Sequence, residues 1–296
     1  MIPAPDLPPL PQAPYLVIFA VRAFPPVEMA THAKVNLMSS LPDLPKGGEL
    51  YLDLLKRSLT NTIFATEPDT NEDTLRYVSA AISHYQQSSA ISMLPLARMD
   101  NLQDCIRSVV ADKVPGDLIE TGVWRGGATI FMRAVLKALN VGDRVVWVAD
   151  SFEGLPEPDA EKYPLEAKSF KSAAMTKYYK HLASGLDEVK ANFAAYGMLD
   201  DQVKFLKGWF KDTLPTAPIE RLAIMRLDGD YYESTRDALV NLYDRLSVGG
   251  YVIIDDYGED AWTYCRKAVE EFRDARGITD PLIRVDKPCA FWRKSR

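Results

Sequence analysis

Cysteine and histidine are scarce in this 296-residue chain, with three of each. Cys105, Cys265 and Cys289 lie far apart, with no CxxC pair and no Cys/His cluster, which argues against zinc and redox motifs and points to reduced thiols in a cytoplasmic protein. No apolar run is long enough to cross a bilayer, so no membrane partner is expected. The short stretch PYLVIFAVRAF, residues 14–24, lacks a basic lead-in and sits among prolines, unlike a signal peptide. Positive charge is not in excess either: the net charge is −6 and no dense Lys/Arg run occurs, so no nucleic-acid partner is expected. The dinucleotide fingerprint G-x-G-x-x-G is also missing.

What is present reads as an ordinary globular composition, with 47% apolar residues and a length that allows a large core. Ten of the twenty prolines fall in residues 1–45, which forbids a long helix there and predicts an extended arm. Residues 46–112 read as a helical cap with a role in self-association. Leucines and aromatics recur at helical spacing over 51–64, with further helical stretches near 71–82 and 100–111.

From residue 113 onward strand and helix signals alternate. Strands are expected at 116–122, 143–150, 202–208, 220–228, 250–256, 281–286 and 289–294, and helices at 128–139, 186–196, 234–246 and 261–277. That order predicts an α/β fold: a doubly wound, mostly parallel seven-stranded sheet closed by an antiparallel pair, behind a helical N-terminal extension. Residues 151–180 are left as a long polar connection, and connections of that length often act as lids.

Ligands of such sheets sit at the carboxyl ends of the strands, where Gly122, Asp150, Asp228, Asp255 and Asp256 are expected. In ETGVWRGGA, residues 120–128, the glycines let the first strand turn closely into its helix. Asp150 at the end of the second strand can accept hydrogen bonds from ribose hydroxyls, or serve only as a turn or cap residue. RLDGDYYEST and VIIDDYG place Asp228, Asp255 and Asp256 at strand ends. Each motif alone can be an Asp-rich cap. Brought together, the three carboxylates repel, and an all-oxygen set favours Mg²⁺, Mn²⁺ or Ca²⁺ over zinc.

The segments YLDLLKRSLTNTIF, MDNLQDCIRSVVADKVPGDLIETGVWRGGATIFMRAVL, VADSFEGLPEP and RLDGDYYESTRDALVNLYDRLSVGGYVIIDDYG resemble the macrocin O-methyltransferase family. The resemblance runs from about residue 51 to the C-terminus and leaves the proline-rich arm uncovered. It implies the Rossmann-like class I methyltransferase fold over residues 113–296, with S-adenosylmethionine and Mg²⁺ as cofactors and a sugar hydroxyl of an antibiotic glycoside as acceptor. By the resemblance, Glu120, Thr121, Gly122, Val123 and Trp124 hold the methionine part of the cofactor. Asp150, Ser151 and Phe152 hold its ribose and adenine, Met93 lines its amino-acid end, and Asp228 completes the site; Trp209, in KGWFKDTLP after the third strand, is a candidate aromatic wall on the cofactor side by its position alone. Asp228, Asp255 and Asp256 match the metal ligands, and Asp230 matches a general base. Some relatives carry a His three residues after the first metal Asp; here that position is Tyr231, which favours Asp230. His181 and Tyr232 are the other base candidates.

The expected partner is therefore a small glycoside or diol, and the expected assembly a homo-oligomer. Two other enzymes remain as alternatives on this sheet, a catechol-type O-methyltransferase and a dehydrogenase, along with a non-catalytic cofactor-binding scaffold.

Overall fold

The computed structural model describes residues 44–64, 89–259 and 262–296. The proline-rich arm and the helix expected near 71–82 lie outside these residues.

The sheet has seven strands: β1 (Asp117–Thr121), β2 (Val146–Asp150), β3 (Val203–Lys207), β4 (Leu222–Leu227), β5 (Leu246–Ile254), β6 (Ile283–Arg284) and β7 (Ala290–Arg293). Their order is β3-β2-β1-β4-β5-β7-β6. The first five run parallel, and β7 pairs antiparallel with β5 and β6. The chain winds outward from β1 to β3, then returns to place β4 on the other side of β1. This reversal opens a crevice between β1 and β4.

The central strands are buried on both faces, and their side chains alternate between two cores. Leu118, Val148, Ile224 and Ile253 enter one core, which is covered by α1 (Gly48–Leu59), α2 (Leu96–Ala111) and α3 (Gly127–Ala138). Ile119, Ala149, Met225 and Ile254 enter the other, against α8 (Tyr232–Leu242) and α9 (Thr263–Arg276). Trp147 belongs to the second core, with its indole N–H on Asp117 at 2.9 Å.

Two expectations need correction. Residues 151–180 do not form a structureless connection: the segment carries α4 (Pro164–Phe170) and leads into α5 (Ala173–Leu182). Pro164 sits at the first position of α4, where proline's fixed φ suits helix entry, and short polar helices of this kind have little apolar periodicity to reveal them. The helix expected over 234–246 is α8 followed by a 3₁₀ turn at Tyr243–Arg245, and β5 already begins at Leu246. Gly249 and Gly250 lie inside β5, so they do not mark its start. Two further helices, α6 (Leu186–Ala195) and the four-residue α7 (Phe210–Thr213), flank β3.

Candidate active site

Sheet register brings the strand-end residues into one row. Ala149, Thr121, Leu227 and Ile254 are register partners across β2, β1, β4 and β5. The next residue on each strand is Asp150, Gly122, Asp228 and Asp255. The backbone ladder continues into this row, with Gly122 N–H donating to Ala149, Asp228 N–H to Thr121 and Asp255 N–H to Leu227, each at 2.9 Å. Four loops therefore leave the sheet at one level.

Gly122 has φ +86°, and a Cβ there would fall 1.8 Å from the Asp228 carbonyl oxygen. Only glycine lets the β1 turn pass so close to β4. The turn then enters α3 at Gly127, whose N–H donates to the Ile91 carbonyl at 3.1 Å. Half-buried Met93 lies two residues beyond Ile91, so the Met93 segment runs over the glycine turn. The α3 N-terminus, with its partial positive charge, faces the same place.

Asp150 ties the β1 and β2 loops together. One carboxylate oxygen accepts from the Val123 N–H and the other from the Phe152 N–H, both at 2.7 Å. Burial raises its pKa, and these hydrogen bonds oppose the rise. The Ser151 hydroxyl donates to the second of these oxygens at 3.4 Å, and Ser151 and Phe152 are buried beside it. Glu120 and Thr121 are buried below the turn, whereas Trp209 stands half-buried after β3 as the N-cap of α7.

On the other side of the crevice, one oxygen from each of Asp228, Asp255 and Asp256 lies within 4.8 Å of the others. Burial first, then the neighbouring carboxylates, pushes the Asp228 and Asp256 carboxyls well above their ordinary range. Asp255 differs. Burial would raise it too, but Arg98 and Arg226 outweigh burial and hold it below its ordinary value. Arg98 donates to one Asp255 oxygen at 2.6 Å and Arg226 to the other at 2.5 Å.

Arg226 is 1% exposed and also pairs with Glu120 and, at 3.0 Å, with Asp228. Strand parity explains the grouping: Arg226 and Glu120 are register partners on the face shared by Asp228 and Asp255. Burial raises Glu120 to about 7 even with Arg226 beside it, and its second oxygen is buried without a hydrogen-bond partner. Acid therefore exceeds base in this pocket. Three oxygen donors around an uncompensated negative charge fit a hard divalent cation.

Asp230 completes the constellation from an αL conformation, φ 58°. Its N–H donates to Asp256 at 2.8 Å, and its Oδ1 accepts the Trp262 indole N–H at 2.8 Å. Burial raises its pKa to about 6, against the lowering effect of the Trp262 bond. Trp124, Phe152 and Trp262 also have φ between 48° and 59°. Non-glycine αL residues thus mark four loops that converge on the crevice, a form of stored strain common at functional sites.

The other base candidates stand apart. The Tyr232 hydroxyl donates to Glu271 on α9 at 2.5 Å, a bond that pushes its pKa up to about 12. His181 is exposed, and its backbone carbonyl accepts the Trp124 indole N–H at 2.7 Å.

Residues 81–294 match the family model described as macrocin-O-methyltransferase (TylF). The chain belongs to this family. It is 51% identical over 255 residues, covering 83% of this chain and 92% of the relative, to an 8-demethyl-8-(2,3-dimethoxy-alpha-L-rhamnosyl)-tetracenomycin-C 4'-O-methyltransferase of Streptomyces olivaceus. It is 47% identical over 257 residues, covering 84% of this chain and 98% of the relative, to a mycinamicin III 3''-O-methyltransferase of Micromonospora griseorubida. The solved structure of the O-methyltransferase NovP matches 84% of this chain and all of its own at 45% identity, with a TM-score of 0.73. Membership makes this chain an O-methyltransferase with the class I fold, which excludes the dehydrogenase alternative.

Arg98, Arg226, Trp262 and Glu166 were absent from the candidates drawn from sequence. Arg226 had left a signal, because a charge inside the apolar run LAIMRL requires a buried partner.

Proposed function

We propose that the chain transfers a methyl group from S-adenosylmethionine to a hydroxyl of a glycosyl group in a natural product, with Mg²⁺ bound by Asp228, Asp255 and Asp256. The observation that carries this reading is the strand-end row: the glycine turn suited to the donor and the carboxylate trio suited to a cation adjoin across the β1–β4 crevice. The relatives whose names specify a sugar position support the acceptor class.

Val123, Trp124 and the Asp150 loop would hold the donor, with Met93 and Trp209 at its two ends. When bound, the donor supplies an activated methyl on a sulfonium, and the cation lowers the pKa of the acceptor hydroxyl. Asp230 receives the hydroxyl proton on Oδ2, because Trp262 already occupies Oδ1. Burial raises the metal-free carboxyl to about 6, and a cation bound beside it would lower that value, so proton transfer would be coupled to the acidified hydroxyl. The aromatic rings of Tyr163, Tyr179, Tyr231 and Tyr232 pack together beside this loop and help exclude water.

In this reading residues 46–112 cap the domain and mediate self-association, since Leu50, Leu54 and Phe64 are more than half exposed on and just after α1. The three free, buried thiols fit a cytoplasmic setting. Among the described residues no helix is long and apolar enough to cross a membrane.

The test is methyl transfer from labelled donor to a panel of rhamnosides, other deoxyglycosides and catechols, with Mg²⁺ or with EDTA. Mg²⁺-dependent transfer to a glycoside is expected. Transfer to catechols alone would overturn the acceptor class, and undiminished transfer in EDTA would overturn the metal role. Donor binding with no transfer to any acceptor would favour the scaffold.

A further inference from the structure

The helix that follows the Asp230 turn has no cap of its own. At the start of α8 the N-cap position is Tyr231, which makes no side-chain capping bond. The first N–H groups of a helix need acceptors, and leaving one buried and unpaired is costly. The acceptor comes instead from α4, 66 residues earlier in the chain: Glu166 Oε1 accepts the Tyr232 N–H at 2.9 Å. Glu166 is 6% exposed, an unusual burial for a glutamate.

Neighbouring contacts repeat the connection. The Tyr163 ring stacks on Tyr232 at 5.1 Å, Lys162 approaches Glu233 at 3.9 Å, and Tyr179 of α5 meets Tyr231 edge-on at 6.2 Å. Residues 231, 232 and 233, directly after Asp230, are thus all held by the α4–α5 segment. The far end of that segment is fastened to the glycine turn by the Trp124 indole on the His181 carbonyl.

We propose that Glu166 is a positioning residue: it caps α8 from the α4–α5 segment, so docking of this segment fixes the Asp230 turn. The docking is a property of the chain itself, and its meaning for catalysis rests on the methyl-transfer reading above. With Glu166 withdrawn, the Tyr232 N–H loses its partner and the turn loses its clamp.

The surroundings of Glu166 give the contact a pH dependence. Glu233 repels it, the phenols of Tyr163, Tyr179, Tyr231 and Tyr264 and the Cys265 thiol face it, and among the described residues no cation pairs with it. Burial raises its pKa from 4.5 to about 7, partly opposed by the Tyr232 N–H. A carboxyl whose pKa is higher docked than free docks best below the free value, and docking weakens as pH rises from the free value through the docked one. The weakening should therefore run from about 4.5, the free value, to about 7, the docked value, and level off above it.

The test is amide hydrogen exchange, read by mass spectrometry on the full chain without ligand, for wild type, Glu166→Ala and Glu166→Gln. At pH 7 the alanine variant should exchange about tenfold faster in both 159–182 and 231–236, with β1 and α3 unchanged. The glutamine variant, which keeps an acceptor oxygen, should retain wild-type protection. After correction for intrinsic rates, wild-type protection in 231–236 should fall from pH 5 to pH 7, and that of Glu166→Gln should stay flat. S-adenosylhomocysteine affinity by calorimetry should be unchanged in Glu166→Gln.

Faster exchange in 159–182 alone, or no change in the alanine variant, would overturn the proposal. If alanine loosens the whole domain, the pH comparison decides: parallel pH responses in wild type and Glu166→Gln would overturn it, and divergence would support it. Exchange needs no acceptor, so failure here is distinct from failure of the methyl-transfer reading.

Discussion

Arg226 and Glu120 are register partners on β4 and β1, and their side chains form an ion pair under the crevice, 1% and 2% exposed. The same guanidinium reaches Asp228 and Asp255 above it, so one buried cation underlies two of the three candidate metal ligands. Arg98 from α2 adds a second cation, shared between Asp255 and Asp286. α2 is thereby tied to the sheet end through charge as well as through apolar packing.

Removing Arg226 leaves Glu120 buried without compensation and Asp255 with Arg98 alone. Arg226→Met is expected to cost about 3–5 kcal/mol, the range for breaking a buried pair. Adding Glu120→Gln should recover part of this loss. A urea double-mutant cycle measures both, and additive losses would show that the pair is not coupled.

Gly122→Ala sets a methyl group against the Asp228 carbonyl in a backbone conformation that alanine adopts poorly. A loss of about 2 kcal/mol or more is expected, together with weakened donor binding, because the turn must move away from β4. Thermal unfolding and S-adenosylhomocysteine calorimetry check the two effects separately.

Asp228→Asn removes one charge from the trio. Mn²⁺ binding, followed by electron paramagnetic resonance, is expected to weaken at least about tenfold. Equal Mn²⁺ affinity in the variant would place the cation elsewhere.

Asp230→Asn should lower kcat by about 10²–10⁴-fold, the usual contribution of a general base, with donor affinity retained. Trp262→Phe keeps the carboxylate but removes the N–H on its Oδ1, and a smaller loss in kcat is expected. A Trp262→Phe defect confined to KM would argue against a role in holding the base.

The alternation of apolar strands with amphipathic helices, together with the glycines of ETGVWRGG, was enough to determine the sheet and where its ligand loops leave it. These are local signals, set by backbone sterics and by period-2 and period-3.6 burial. The aspartates at the strand ends were legible for the same reason, since an acid after an apolar run marks the point where the chain leaves the core. Only the tertiary structure decided how they are electrostatically arranged. Strand register put Arg226 opposite Glu120, α2 delivered Arg98 across 157 residues to Asp255, and α4 delivered Glu166 to the N-terminus of α8. Such contacts join residues distant in sequence through one polar atom each, and no local propensity encodes them. The 151–180 segment shows the same limit: short helices that are stabilised by docking carry little pattern until the surface they dock on exists.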